Sequence, residues 1–153
     1  MVKIDASLLD FWRKDTCVSL QPPVSDTTIL EFERSHNVIL PSDFRYYLSN
    51  LTNGFNQSAN YQDGNGFNFL PLECLYAVSK FDTSDFKASN GRDYYVFCDY
   101  LDFCWAFAID FNGSDTRGNI VVVGAGNPFP IVSKSFSEFI ELYRADDARL
   151  YRF

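Results

Sequence analysis

The chain has 153 residues, 46% of them hydrophobic, and a formal net charge of −7. That length suits one domain of ordinary size, and the apolar content supports a buried core, which excludes a disordered chain. No apolar run reaches the ~20 residues a membrane span needs, and the sign of the charge disfavours direct binding to nucleic acid phosphates.

The opening "MVKIDASLLDFWRKD" carries acids early and lacks the apolar region of a signal peptide, so a cytoplasmic protein is expected. Four cysteines are present, Cys17, Cys74, Cys98 and Cys104. None forms a Cys-x-x-Cys pair, and one histidine cannot complete a common zinc set. Without an export signal they are expected as buried free thiols. The charge is uneven: Glu73 to Asp115 holds eight acids and three bases, a net of −5, which is most of the excess. Such a stretch favours a basic protein partner, although solubility alone would also account for it.

Ser7 to Lys14 reads as a first helix, capped by Ser7, with Leu8, Leu9, Phe11 and Trp12 as its buried side. Pro22-Pro23 marks a break. A second helix over 26–36 starts at Ser25 or Asp26, carries Ile29, Phe32 and His36 at helical spacing, and stops at a left-handed Asn37. His36 at that end is expected as a cap or surface residue, since no nucleophile motif accompanies it. "LPSDFRYYLSNLTNG" predicts a third helix over 42–52. Pro41 suits the first helical position, Asp43 the positive helix start, and Asn53-Gly54 the stop. Phe44, Tyr47, Leu48 and Leu51 recur at i, i+3, i+4 and i+7, one face of that helix.

A polar loop follows. Its "DGNG" fails the EF-hand pattern, because Phe67 stands at a ligand position and Asn68 where the glycine belongs. "FNFLPLECLYAVSKF" gives a short strand and a connecting turn or helix, and "DTSDFKASNGRD" a surface loop. "DYYVFCDYLDFCWAFAIDFNG" is the strongest β signal, two aromatic and β-branched runs in a hairpin, with strands over 94–98 and 104–110. A turn centred on Leu101 would pair Cys98 with Cys104. Further strands are expected over 119–123 and 130–133. "SFSEFIELY" closes the chain as a helix over 136–144, with Ser135 and Glu138 as a capping box. "IVVVGAGNPF" begins like a dinucleotide fingerprint, but Phe129 replaces the third glycine and Pro128 and Pro130 forbid a helix there, so a turn between antiparallel strands is expected and no cofactor. Paired carboxylates such as Asp99 and Asp102 could do acid–base work, yet no nucleophile, metal or cofactor motif assembles around them. No catalytic residue is assigned.

Aromatic residues make up 18% of the chain, and nine are tyrosines. Neighbours such as Tyr46-Tyr47 and Tyr94-Tyr95 cannot all point inward, because adjacent strand residues alternate faces. Surface tyrosines suit protein interfaces.

The order of elements resembles the SUKH superfamily, the group containing the yeast Smi/Knr cell-wall-synthesis regulator and many bacterial immunity proteins. Three stretches carry the resemblance. "ILEFERSHNVILPSDFRYYLSNLTNG" is similar to the family's helix with Ile and Phe-Glu, then Leu-Pro, then a helix ending in Asn-Gly. "YVFCDYLDFCWAFAIDFNG" is similar to its paired strands, with an aspartate after the first and Ile-Asp closing the second. "PIVSKSFSEFIELY" is similar to its final strand, Ser-Phe and helix. His36-Asn37 depart from the family's usual glycine, and the Asn56–Gly66 loop and the segment before Ser25 match little.

The resemblance implies an α+β fold, a central, mainly antiparallel sheet with helices packed around it, as a single domain over 1–153 and strongest over 25–143. It also implies binding without catalysis. Bacterial members neutralise polymorphic toxins, often nucleases, by direct contact, and fungal members act as regulatory scaffolds. An immunity-type protein facing a toxin domain with a basic surface is therefore expected, with a scaffold or regulator of another cytoplasmic protein as the alternative. The candidate contacts are Asp82, Asp85, Tyr94, Asp99, Tyr100 and Asp102, with Tyr61 and Asp63 from the variable loop.

Overall fold

The computed structural model describes residues 3–58, 61–80, 93–126 and 128–153. Among them the chain forms four α-helices, α1 (Ser7–Arg13), α2 (Asp26–His36), α3 (Ser42–Tyr46) and α4 (Phe136–Arg144). It also forms six strands, β1 (Phe67–Phe69), β2 (Tyr76–Ala77), β3 (Tyr94–Tyr100), β4 (Trp105–Asp110), β5 (Ile120–Val123) and β6 (Ile131–Ser133). The strands build one sheet in the order β1-β3-β4-β5-β6, with β2 also paired to β3, and all these pairings are antiparallel. The fold is α+β, as the change of hydrophobic period from 3.6 to 2 along the chain predicts.

Rings fill the space between helices and sheet. Phe44 of α3 meets Phe136 of α4 at 4.9 Å and Phe97 of β3 at 6.0 Å between centroids. Phe107 of β4 meets Phe139 at 4.9 Å. Trp12 of α1 lies edge-on to Phe55 at 5.2 Å and Phe69 at 5.1 Å, so the segment before Ser25 is part of the same core. Edge-to-face rings of this kind gain a little beyond the area they bury.

Several local expectations change. Ser7 is the first residue of α1 rather than its cap, and its amide is taken by the Asp5 carboxylate at 2.9 Å. Pro41 precedes α3 rather than opening it. The third helix is α-helical only to Tyr46 and then widens to a π turn over Tyr47–Leu51, closed by the Thr52 amide on the Tyr47 carbonyl. Ser49 and Asn50 each bond back to the carbonyl four residues earlier, which competes with the ordinary amide ladder. Phe44, Tyr47, Leu48 and Leu51 are buried all the same.

The hairpin register also differs. Cys98 pairs with Phe107, not with Cys104, and Tyr100 pairs with Trp105. The turn causes the shift: β3 runs on through Asp99 and Tyr100, so the connecting loop spans four residues, while the bulge between Val96 and Cys98 lies beyond Cys98 and changes only the pairs farther from the turn. Cys104 falls in the connecting loop. Only Cys98 is buried; Cys74 and Cys104 are exposed and Cys17 is half-buried, contrary to the expectation of four buried thiols. The Gly124–Gly126 stretch leads from β5 into antiparallel β6, so no helix opens on its glycines.

Candidate functional site

Three acids in the motif-bearing stretches, Glu33, Asp43 and Asp110, tie the fold together. Glu33 of α2 is buried, pairs with Arg45 of α3 and accepts the Leu40 amide at 3.0 Å, which ties the Leu-Pro step to both helices. Asp43 accepts from its neighbour Phe44 and from the amide and hydroxyl of Ser137 at 2.8 and 3.0 Å, so it caps α4 from α3. Asp110 closes β4 and accepts from the amides of Asn112 and Gly113 and the Thr116 hydroxyl. Asn53 is more than a helix stop. Its amide group donates to Glu73 at 2.9 Å and its oxygen accepts the Leu72 amide at 2.7 Å, while Gly54, at φ +79, leaves room for the Phe69 carbonyl.

Asp63 belongs to the same class. It is buried, takes the amides of Asn65 and Phe67, and accepts from the Tyr143 hydroxyl, which in turn accepts the Trp12 indole at 2.7 Å. Burial pushes the Asp63 carboxyl above the usual range, against these hydrogen bonds.

Asp99 is different. It lies on β3, 2% exposed, opposite Ala106 of β4 and Asn68 of β1. Its Oδ2 accepts from Asn68 at 3.2 Å, and Asn68 is held by Gln57 through a two-way amide pair. Its Oδ1 is buried with no hydrogen bond of ordinary geometry, although the nearby Phe103 amide favours the anion. Burial pushes this carboxyl up to about 6, and the neighbouring charge of Asp102 adds to the rise. A buried acceptor left open costs about 1–3 kcal/mol, so its retention calls for a reason.

Beside it stands the β3–β4 loop. Leu101, Asp102 and Phe103 all have positive φ, at 46, 51 and 69°. Three successive left-handed residues without glycine store about 1–2 kcal/mol each, strain of the kind that collects at functional sites. The loop is braced from outside. Leu101 donates to the Gly66 carbonyl at 2.9 Å, and Asp102 Oδ1 accepts from the Tyr61 hydroxyl at 2.8 Å and Gln62 at 2.9 Å. That bond holds Tyr61 in its protonated form to higher pH than usual. Leu101, Phe103 and Tyr61 are exposed large apolar residues, and exposed Phe153 meets Trp105 of the same hairpin at 5.5 Å.

The sequence-derived contacts therefore separate. Tyr61 and Asp102 are joined at the loop. Asp99 lies beneath it, buried. Tyr100 is half-buried between Phe67, Trp105 and Tyr151. Tyr94 sits at the other end of β3, near Phe129 at 6.1 Å, away from the loop. Asp63 is interior. Asp82 and Asp85 lie outside the described residues. The stretch with most of the negative charge is not a uniformly charged surface, since Asp99 and Asp110 are both inside. Leu101, Phe103 and Gln62 were missed, and the signal that could have found them is an apolar pair flanking an aspartate between two strand runs.

Comparison with protein-family models gives one finding, and it spans the same elements. The SMI1 / KNR4 family (SUKH-1) model matches residues 23–142, well over half of the chain. The chain belongs to this family. The match begins before α2 and ends within α4, so in this SUKH-1 protein it takes in Glu33, Asp43, Asn53, Asp99, Asp110 and the braced hairpin. No curated protein matches the chain. Among the described residues no helix is long and apolar enough to cross a membrane, and no three His, Cys, Asp or Glu side chains gather as a metal set.

Proposed function

We propose that this SUKH-1 protein is an immunity-type antitoxin of the cytoplasm. It binds a cognate polymorphic toxin domain by direct protein–protein contact, without catalysis, as one domain. The observation that carries this reading is the braced hairpin. Exposed Leu101 and Phe103 flank Asp102, and Tyr61 and Gln62 fix that aspartate from a separate loop. Exposed aromatics held rigid beside an acid make a good anchor for a partner, because little side-chain entropy is lost on binding. The acid selects a basic surface, such as the cleft of a nuclease, and speeds encounter with it.

The test is co-expression with the toxin encoded beside this gene, then titration calorimetry on the purified pair. The expected result is rescue of growth and a one-to-one complex. Phe103→Ala should weaken it by about 2 kcal/mol or more if this residue is the anchor. No rescue and no binding would overturn the immunity reading in favour of a scaffold for another cytoplasmic protein.

A further inference from the structure

A pocket of about 200 Å³ opens beside the loop, lined by Tyr76, Val96, Phe103, Cys104, Trp105, Ala106, Val123 and Gly124. It lies on the sheet face opposite the helix-packed rings, since Val96, Ala106 and Val123 are cross-strand or near neighbours on that face. Its mouth is marked by Phe103, 54% exposed, and by the exposed thiol of Cys104. The volume is below the ~300 Å³ at which sites for whole small molecules begin, so it suits a single side chain.

Asp99 borders this space. It sits directly across from Ala106, its charge acts on Tyr76, and the Phe103 amide lies by its carboxylate. Asp99 is not itself part of the lining, but three lining residues neighbour it, and its Oδ1 is buried without a hydrogen bond of ordinary geometry. The charge that acts on it is another acid's, that of Asp102. The walls are otherwise apolar and aromatic.

We infer that this pocket is a socket for one arginine side chain of the protein partner, with the guanidinium reaching past the Phe103 ring to donate to Asp99 Oδ1. A buried acid just behind an apolar lining calls for a cation with a long apolar stem. Arginine fits better than lysine, because a planar and weakly hydrated guanidinium tolerates aromatic walls and desolvation, whereas an ammonium is a strongly hydrated point charge. The occupant leaves Asp99 fully bonded, which turns a cost in the free protein into a gain in the complex. The choice of a protein as the source rests on the function proposed above.

The experiment keeps the two claims apart. Amide and indole NMR signals of Phe103, Cys104, Trp105 and Gly124 are followed during titration with N-acetyl-arginine amide, its lysine counterpart, and the neutral citrulline counterpart. Saturable shifts with arginine, several-fold weaker ones with lysine and none with citrulline are expected. They should vanish in Asp99→Asn, and in Cys104→Trp, which fills the mouth from an exposed position. Arginine amide should also slow alkylation of Cys104 but not of Cys74. Equal responses to arginine and citrulline, or an arginine response untouched by Asp99→Asn in a folded variant, overturn the socket. With the purified neighbouring toxin domain, both variants should lose affinity at least tenfold, mainly through faster dissociation. Toxin binding unchanged by both variants refutes the socket and leaves the immunity function standing. Arginine binding without toxin binding does the reverse.

Discussion

Asp99 and Asp110 belong to the two strands of one hairpin, both buried, at 2% and 0% exposure. By strand alternation both point to the same face of the sheet. Asp110 is saturated by two amides and a hydroxyl that build the turn after β4. Asp99 accepts one side-chain donor, has the Phe103 amide nearby, and keeps one oxygen without a hydrogen bond of ordinary geometry beneath a strained loop. The difference teaches how to tell the acids that make this fold from the acid that equips it. A filled buried carboxylate is a joint, while one with an unfilled oxygen beside a pocket is the candidate receptor.

The sharpest way to break this distinction is to remove both acids and compare. Asp110→Ala strips three donors of their acceptor inside the protein, and should cost about 3–4 kcal/mol in urea unfolding. Asp99→Asn should change stability by less than about 1 kcal/mol at neutral pH, because a neutral amide is cheaper to bury than an unfilled anion. Equal losses for the two variants would mean that Asp99 is a joint as well.

Second in size is Gly54→Ala. The added Cβ would stand 2.6 Å from the Phe69 carbonyl oxygen and 2.9 Å from that of Leu70, at φ +79. Neither backbone atom can yield without moving β1, so a loss of at least about 2 kcal/mol is expected from thermal unfolding. This places the Asn53-Gly54 turn with Asp110 among the joints. A loss near zero would move it out of that class.

The joints were the more legible part of the sequence. α2 and α4 keep the bounds that capping and periodicity predict, because Ser25 and Ser135 supply the expected side-chain caps. Local rules act within a few residues, and these helices obey them. The register of β3 and β4 was not legible. The length of the turn is invisible to alternation, yet it alone moves Cys104 from opposite Cys98 into the loop. The site suffered for a related reason. Charge counting cannot see that Asp63, Asp99 and Asp110 face inward, since each gains its partners from chain distant in sequence or from a turn that the fold creates. Tyr61 and Asp102 were named separately, but their contact across 41 positions comes only from the fold.

The third comparison uses pH. The carboxyl of Asp99 ionises near 6 in the folded protein against 3.8 for the ordinary group. A raised carboxyl means that the folded state keeps this proton where the unfolded chain has lost it. The stability it contributes is present at low pH and is lost as pH rises from about 4 to about 6. Discounted for screening by solvent, the effect is about 1–2 kcal/mol. The difference in unfolding free energy between wild type and Asp99→Asn, measured at pH 4.5 and 7.5, should change by that amount, wild type gaining at the lower pH. A pH-independent difference would show that Asp99 ionises normally and that its open oxygen is solvated.

The smallest effect on stability belongs to Tyr61→Phe, and it is the most informative about the loop. Tyr61 is exposed, and its hydroxyl only braces Asp102 from outside the hairpin. Unfolding midpoints of wild type and Tyr61→Phe should coincide within error, in contrast to every joint above. The local consequence should be large. Gln62 remains on Asp102, but the hydroxyl bond that opposes three left-handed residues is gone. Amides from Leu101 to Cys104 should therefore exchange with solvent several-fold faster, while those of Phe107 and Ile109 stay protected. If the brace exists to present Phe103 in its binding pose, Tyr61→Phe should also bind the partner more weakly than wild type. The entropy of ordering the loop is then lost on association rather than on folding. Faster exchange without weaker binding would make the brace a structural device only. Unchanged exchange would show that the backbone bond from Leu101 to Gly66 holds the loop by itself.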